Sequence, residues 1–161
     1  MELNTTNKGN QMNTPKEIDT RLGELLKIKQ YVTSGAAEIK QMVDGEVVVD
    51  HFYFDENGTP LEYWQATAEM QDAKLAELKV EIDAIENLHR ENQWTRWELV
   101  SGGKLHKYTT CSTLDRWRAN SMRNGNRTPR ITVFNLSGMT WEEASEATGV
   151  SVCTKCCPEA K

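Results

Sequence analysis

The chain has 161 residues, of which 38% are hydrophobic and 27% charged, and a formal net charge of −5. That length suits one domain or two small ones. No apolar run approaches the ~18 residues a spanning helix needs, which excludes a helical membrane protein. Charge is split unevenly: residues 1–92 carry 18 acidic and 9 basic side chains, whereas residues 93–161 carry 6 and 10, giving balances of −9 and +4. An acidic half followed by a basic half predicts two units with different surfaces.

Residues 1–13 are rich in Asn, Thr and Lys and hold no apolar core segment, so they read as a disordered tail rather than a secretory signal or anchor. A cytoplasmic location is expected, where a disulfide framework is disfavoured. Thr14-Pro15-Lys16-Glu17 is a helix start: Thr14 caps, Pro15 suits the first helical position, and Glu17 completes a capping box. Ile18, Leu22, Leu25, Leu26, Val32, Ile39 and Met42 follow at spacings of mostly three, four or seven, predicting one helical stripe with a possible break or bend at Ser34-Gly35 and an end at Asp44-Gly45. Val47-Val48-Val49 and Phe52-Tyr53-Phe54 are β-branched and aromatic, and Asn57-Gly58 is a turn signal, so a short β insertion is expected at 46–58. Thr59-Pro60-Leu61-Glu62 repeats the capping signature. A second helix over 59–91 is expected, with Leu61, Trp64, Ala68, Leu75, Leu78, Ile82 and Ile85 on a heptad ladder. Residues 14–92 thus read as a helical hairpin or coiled coil whose seam packs on the first helix, on a second copy of the chain, or on both.

From Gln93 the pattern changes. Trp94, Trp97, Leu99 and Val100 predict a strand, Gly102-Gly103 a tight turn, and Lys104 to Lys107 a return strand. Residues 112–130 read as irregular, and Ile131 to Phe134 as another short strand. Thr140-Trp141-Glu142-Glu143 is a further capping box, opening a short helix that ends at Gly149.

Cys153-x-x-Cys156 has the spacing of a metal knuckle, and His106 and Cys111 form a second pair about 41 residues upstream. Two separated pairs are how small zinc folds clip a loop-rich domain together. A region of about 69 residues (93–161) has a marginal core, so a metal staple fits its size. One imidazole and three thiolates fill four tetrahedral positions and leave none for water, which predicts a structural Zn2+ rather than a catalytic one. Alternatives remain at this level. The cysteines can pair as disulfides, Cys111 can be an inert buried thiol, Cys157 can replace His106 as fourth ligand, and C-x-x-C can be a redox motif.

The order Trp94-x-Arg96-Trp97-x-Leu99-Val100, Gly103-x-Leu105-His106, Cys111-Ser112-Thr113, Leu136-Ser137-Gly138 and Cys153-x-x-Cys156-x-Pro158 resembles a set of small zinc-finger-like proteins of actinobacterial phages and their hosts. The resemblance covers residues 94–158. At position 157 the family tends to carry an aromatic residue where this chain has Cys157. The resemblance implies a zinc-binding module of phage origin, working in a host cytoplasm, with no established activity.

Arg116, Arg118, Arg123, Arg127 and Arg130 surround Trp117 with only Asp115 against them. Arginines with an interleaved aromatic suit phosphate contact and base stacking, though a solvated loop has the same composition. The His-x-Glu and Pro-Cys-x-x-Cys signature of zinc deaminases is absent, as are HExxH and a phosphate-binding glycine loop, so no enzyme is expected. The sequence therefore reads as an α+β protein: a helical hairpin with a short β insertion, then a zinc-ribbon-like domain over 93–161. Its expected role is regulatory nucleic-acid binding; the alternative is an adaptor whose helical seam forms a homodimer or captures a host protein.

Overall fold

A computed structural model describes residues 14–34, 38–55, 57–100, 103–108, 111–113 and 130–161. Their order is α1 (Pro15–Ser34), β1 (Glu38–Val43), β2 (Glu46–Phe54), β3 (Pro60–Ala66), α2 (Ala68–Asn92), β4 (Trp97–Val100), β5 (Lys104–Lys107), β6 (Arg130–Thr132) and α3 (Trp141–Thr148). The protein is a mixed α+β molecule with two small antiparallel sheets, β1-β2-β3 and β5-β4-β6. Asp19–Gln93 form one compact unit, and Trp94–Lys161 with the start of α1 up to Ile18 belong to the other.

Helix α1 begins as its capping box dictates. The Glu17 carboxylate accepts from the Thr14 backbone N–H and hydroxyl, while the Glu17 N–H donates back to the Thr14 hydroxyl. Within the first unit, Leu22, Leu25, Ile28 and Val32 line the buried face of this helix. Leu78, Ile82 and Ile85 do the same for α2. The helices run antiparallel: Arg21 Nε donates to Glu81 Oε1 at 2.8 Å, and Gln71 Nε2 donates to the Val32 carbonyl at 3.1 Å, so ascending positions on one meet descending positions on the other.

Three boundaries differ from those expected. The first helix stops at Ser34, and Glu38–Val43 is an edge strand, so Ile39 and Met42 leave the helical stripe and are exposed. Asp44 and Gly45 both have positive φ (49° and 83°) and close a two-residue hairpin to β2 instead of ending a helix. The second helix starts at Ala68, capped by Thr67, rather than near Thr59. Asp55 accepts from the N–H groups of Asn57 and Thr59, turning the chain so that Pro60–Ala66 pairs with β2. Leu61 and Trp64 are therefore strand residues, and the heptad ladder shrinks to its α2 portion. The physical reason is the β2 strand between them: a β-branched and aromatic run with two open edges is satisfied only when both neighbours pair with it.

In the second unit, Gly103 turns β4 into β5 with φ 105°, and β6 covers the other side of β4. β6 spans Arg130–Thr132, and Phe134–Leu136 is a 3-10 turn where a strand through Phe134 was expected. Helix α3 has both halves of its capping box: Thr140 N–H donates to Glu143 at 2.8 Å and Glu143 N–H to the Thr140 hydroxyl at 3.3 Å. Gly149 ends it in the left-handed region. Trp97, Leu105, Leu136, Ala144, Val152 and Cys157 form the apolar cluster of this unit. Among the described residues no helix is long and apolar enough to cross a membrane.

Candidate metal centre

The β4–β5 hairpin sorts its residues by face. Trp97, Leu99 and Leu105 point into the apolar cluster. The alternate positions Glu98 and His106 are directly opposite each other in the register and share the other face. Val100 lies on that face too and packs with Cys111 and Cys153. The last segment of the chain is delivered to the same place by backbone bonds. Leu105 N–H donates to the Ser151 carbonyl at 3.0 Å, Cys153 N–H donates to the Leu105 carbonyl at 2.8 Å, and Leu105 forms a parallel bridge with Val152. Cys153 is thereby set beside His106, and the turn after it carries Cys156 back toward β5, where the Lys107 N–H donates to its sulfur at 3.4 Å.

The ligand atoms of His106, Cys111, Cys153 and Cys156 all lie within 4.8 Å of one another. His106 Nδ1 is 3.3 Å from Cys111 Sγ, and Cys111 Sγ is 3.9 Å from Cys153 Sγ. A tetrahedral zinc with Zn–S near 2.3 Å and Zn–N near 2.0–2.1 Å has S···S edges of about 3.8 Å and N···S edges of about 3.5 Å. These two edges lie close to those figures, and 3.9 Å is far from the ~2.05 Å of a disulfide. All four cysteines are thiols. His106, Cys111 and Cys153 are buried and Cys156 is half-buried.

The electrostatics favour a cation. Burial pushes the His106 imidazole below its ordinary pKa, against the pull of Glu98 and with that of Lys104, so the ring is neutral and able to ligate. Burial pushes the Cys156 thiol up to about 12, with the neighbouring sulfur of Cys111 adding to the rise. At Cys153 burial also resists ionisation, but the backbone N–H groups of Lys155 and Cys156 turn the balance and lower its pKa. Thiolates this crowded repel one another, and a divalent ion between them removes the repulsion.

Cys157 points the other way. It is fully buried in the apolar cluster with Trp97 and Leu105, and burial raises its pKa. The backbone N–H of Cys157 bonds the Cys153 carbonyl at 2.9 Å, fixing the turn that aims its neighbour at the site. Arg116, Trp117, Arg118, Arg123 and Arg127 lie outside the described residues. Arg130 opens β6 opposite Val100. Buried polar groups were not singled out as such in the sequence, Glu98 and Tyr53 among them. Glu98, 1% exposed, was legible by folding the hairpin about Gly102-Gly103 and counting back from His106. Tyr53, buried in β2 with no hydrogen-bond partner for its hydroxyl, had no local signal. No protein-family model, curated protein or solved structure matches the chain.

Proposed function

We propose that the chain is a zinc-binding protein of the phage type, in which one structural ion on His106, Cys111, Cys153 and Cys156 closes a zinc-ribbon-like unit that contacts nucleic acid in a regulatory role. The observation that carries the reading is the convergence of four buried or half-buried ligand atoms, from residues up to 50 apart in sequence, within 4.8 Å. Four protein ligands leave no position for a reacting water, so the reading is non-enzymatic. Val100 packs against Cys111 and Cys153 and covers one side of the site with apolar surface. The nucleic-acid part rests on composition: Arg116, Trp117, Arg118, Arg123 and Arg127, with Arg130 at the start of β6, follow the ligand Cys111 directly in sequence and give residues 93–161 their balance of +4. A cytoplasmic setting, a host cytoplasm for a phage product, suits thiolate ligands that a reducing pool protects.

Purified chain should carry about one zinc per molecule by elemental analysis. It should shift single- or double-stranded nucleic acid in a gel at low salt, with the shift fading as salt rises. Arg116→Ala, Arg118→Ala and Arg123→Ala together should weaken that shift without loss of zinc; unaltered retardation would remove the nucleic-acid role. The adaptor reading, a homodimer or host-protein contact through residues 59–91, draws on Val80, which is 72% exposed on α2. Leu78, Ile82 and Ile85, the seam positions that could face either the first helix or a second copy, are already buried within the chain. Light scattering at high concentration decides it: a monomeric mass leaves only a different protein as partner.

A further inference from the structure

The sheet β1-β2-β3 is apolar on both faces. Along β2 burial alternates: Val49, His51 and Tyr53 are buried on one face, and Val48, Asp50, Phe52 and Phe54 are half-buried on the other. An antiparallel sheet that covers a core with one face commonly turns polar side chains to water on the second. Here the second face carries rings. Phe52 stands opposite Tyr63 in register, with ring centroids 5.1 Å apart. Phe54 extends the platform along β2, 6.4 Å from Phe52 and at an interplanar angle of 15°. Tyr63 is 57% exposed, as is Ile39, which lies opposite Asp50 on the same face. The charge of this face has one sign. Asp50 accepts from the Tyr63 hydroxyl at 3.3 Å and from Gln41 Nε2 at 3.2 Å. Both donors are neutral and leave the carboxylate negative. Glu46 opens β2 on the same face. Lys40 is the one lysine or arginine of the three strands, and it stands opposite Val49 on the other face, 3.8 Å from Glu38.

We infer that this outer face is a docking surface for an arginine-bearing peptide segment of another protein, whose guanidinium groups stack on Phe52, Phe54 and Tyr63 and pair with Asp50. The face of an aromatic ring is negative, and a cation within about 6 Å of its centroid is attracted to it. A guanidinium is flat and weakly hydrated, so it lies on a ring and forks onto a carboxylate at the same time. Charge decides between the occupants. Nucleic acid brings phosphates to a face that holds Asp50 and Glu46, in a region of the chain whose balance is −9. A second copy packed face to face brings the same two carboxylates to both sides of the interface, with no cation on either face to meet them. An uncharged apolar partner would leave Asp50 covered without a counter-charge. A cationic segment satisfies both the rings and the carboxylate. The surface shares no residue with the metal centre or with the Leu78–Ile82–Ile85 seam, so it is independent of the zinc reading.

The test uses the full chain and a short synthetic peptide of alternating arginine and glycine, beside versions with lysine or uncharged citrulline in place of arginine. Calorimetry at low salt gives the affinities, and NMR of the aromatic rings maps the contact. The arginine peptide should bind and shift the ring signals of Phe52, Phe54 and Tyr63. The lysine peptide should bind more weakly, and the citrulline peptide not at all. Tyr63→Ala and Asp50→Asn should each weaken the arginine peptide about twofold to fivefold, and more in combination. Phe52→Ala should do the same. If it unfolds the sheet, the other two variants decide the matter, because they alter only an exposed ring and one oxygen. Equal binding by the wild type and the Tyr63→Ala, Asp50→Asn double variant would overturn the assignment, since the peptide then sits elsewhere on the acidic surface. So would a wild type that ignores the peptide at millimolar concentration. A single-stranded oligonucleotide that shifts the same rings, or a dimer that buries Tyr63 in light scattering and NMR, would overturn it in favour of that occupant.

Discussion

The two units bury different chemistry. In Asp19–Gln93 the hidden side chains of the helices are mostly aliphatic: Leu22, Leu25, Ile28 and Val32 of α1, with Leu78, Ile82 and Ile85 of α2, and Asp19 of α1 as the charged exception. Their outer edges are tied by half-exposed ion pairs such as Arg21–Glu81, each worth no more than about 1 kcal/mol. In Trp94–Lys161 one sheet face covers an apolar cluster around Trp97, while the other holds Glu98, His106, Cys111 and Cys153 out of water. A face of buried titratable groups is stable only when something satisfies them. The first unit therefore draws its stability mainly from apolar burial, whereas the proposed zinc would add to burial in the second.

The largest effect that separates them is metal removal. Zinc contributes roughly 10–16 kcal/mol of apparent folding free energy in small fingers. A strong chelator, or Cys111→Ser, should melt the C-terminal unit while the circular dichroism of α1 and α2 largely persists. A metal-free chain that keeps one cooperative transition covering both units would break the contrast. Next in size is Leu22→Ala, which truncates a side chain 1% exposed and should cost the first unit about 2–5 kcal/mol. Zinc content should not change, and elemental analysis beside denaturant unfolding checks both halves of that statement.

A smaller effect comes from Tyr53. Burial, helped by the charge of Glu62, pushes its phenol up to about 12 from an ordinary value near 10. The folded state thus prefers the neutral ring. The corresponding stability is present below pH 10 and disappears as pH rises toward 12, a loss of up to about 3 kcal/mol. Tyr53→Phe should flatten that alkaline slope in urea titrations at pH 9–12. At neutral pH it should be neutral or slightly stabilising, because the lost hydroxyl has no hydrogen-bond partner. The smallest effect is Thr140→Ala, which deletes one half of a complete capping box and should cost about 1 kcal/mol. A thermal shift confined to the C-terminal transition is the expected readout, and a shift of the α1–α2 transition would show that the two units do not unfold independently.

What could be read from the chain itself is mostly what acts over a few residues. The capping boxes at Thr14 and Thr140, the turn at Asn57-Gly58, the β4–β5 hairpin and the glycine stop at 149 are hydrogen bonds and backbone angles that neighbours dictate. The four side chains that converge, His106, Cys111, Cys153 and Cys156, were legible as well, because metal coordination restricts residue type and spacing so sharply. Tertiary structure decided the rest. Glu38–Val43 carries Ile39 and Met42 at helical spacing from α1, and Pro60–Ala66 opens with a helix-capping signature, yet both become strands because β2 offers them its backbone. Pairing of that kind joins residues up to 17 apart in register, Val49 with Ala66, and no window of a few residues contains it. The placement of Glu98 against His106, and the turning of Cys157 away from its neighbours' site, likewise follow from which sheet face each position occupies. Local hydrogen bonds are written in the order of residues, whereas the faces that meet are chosen by burying the most apolar surface while leaving no backbone group unpaired.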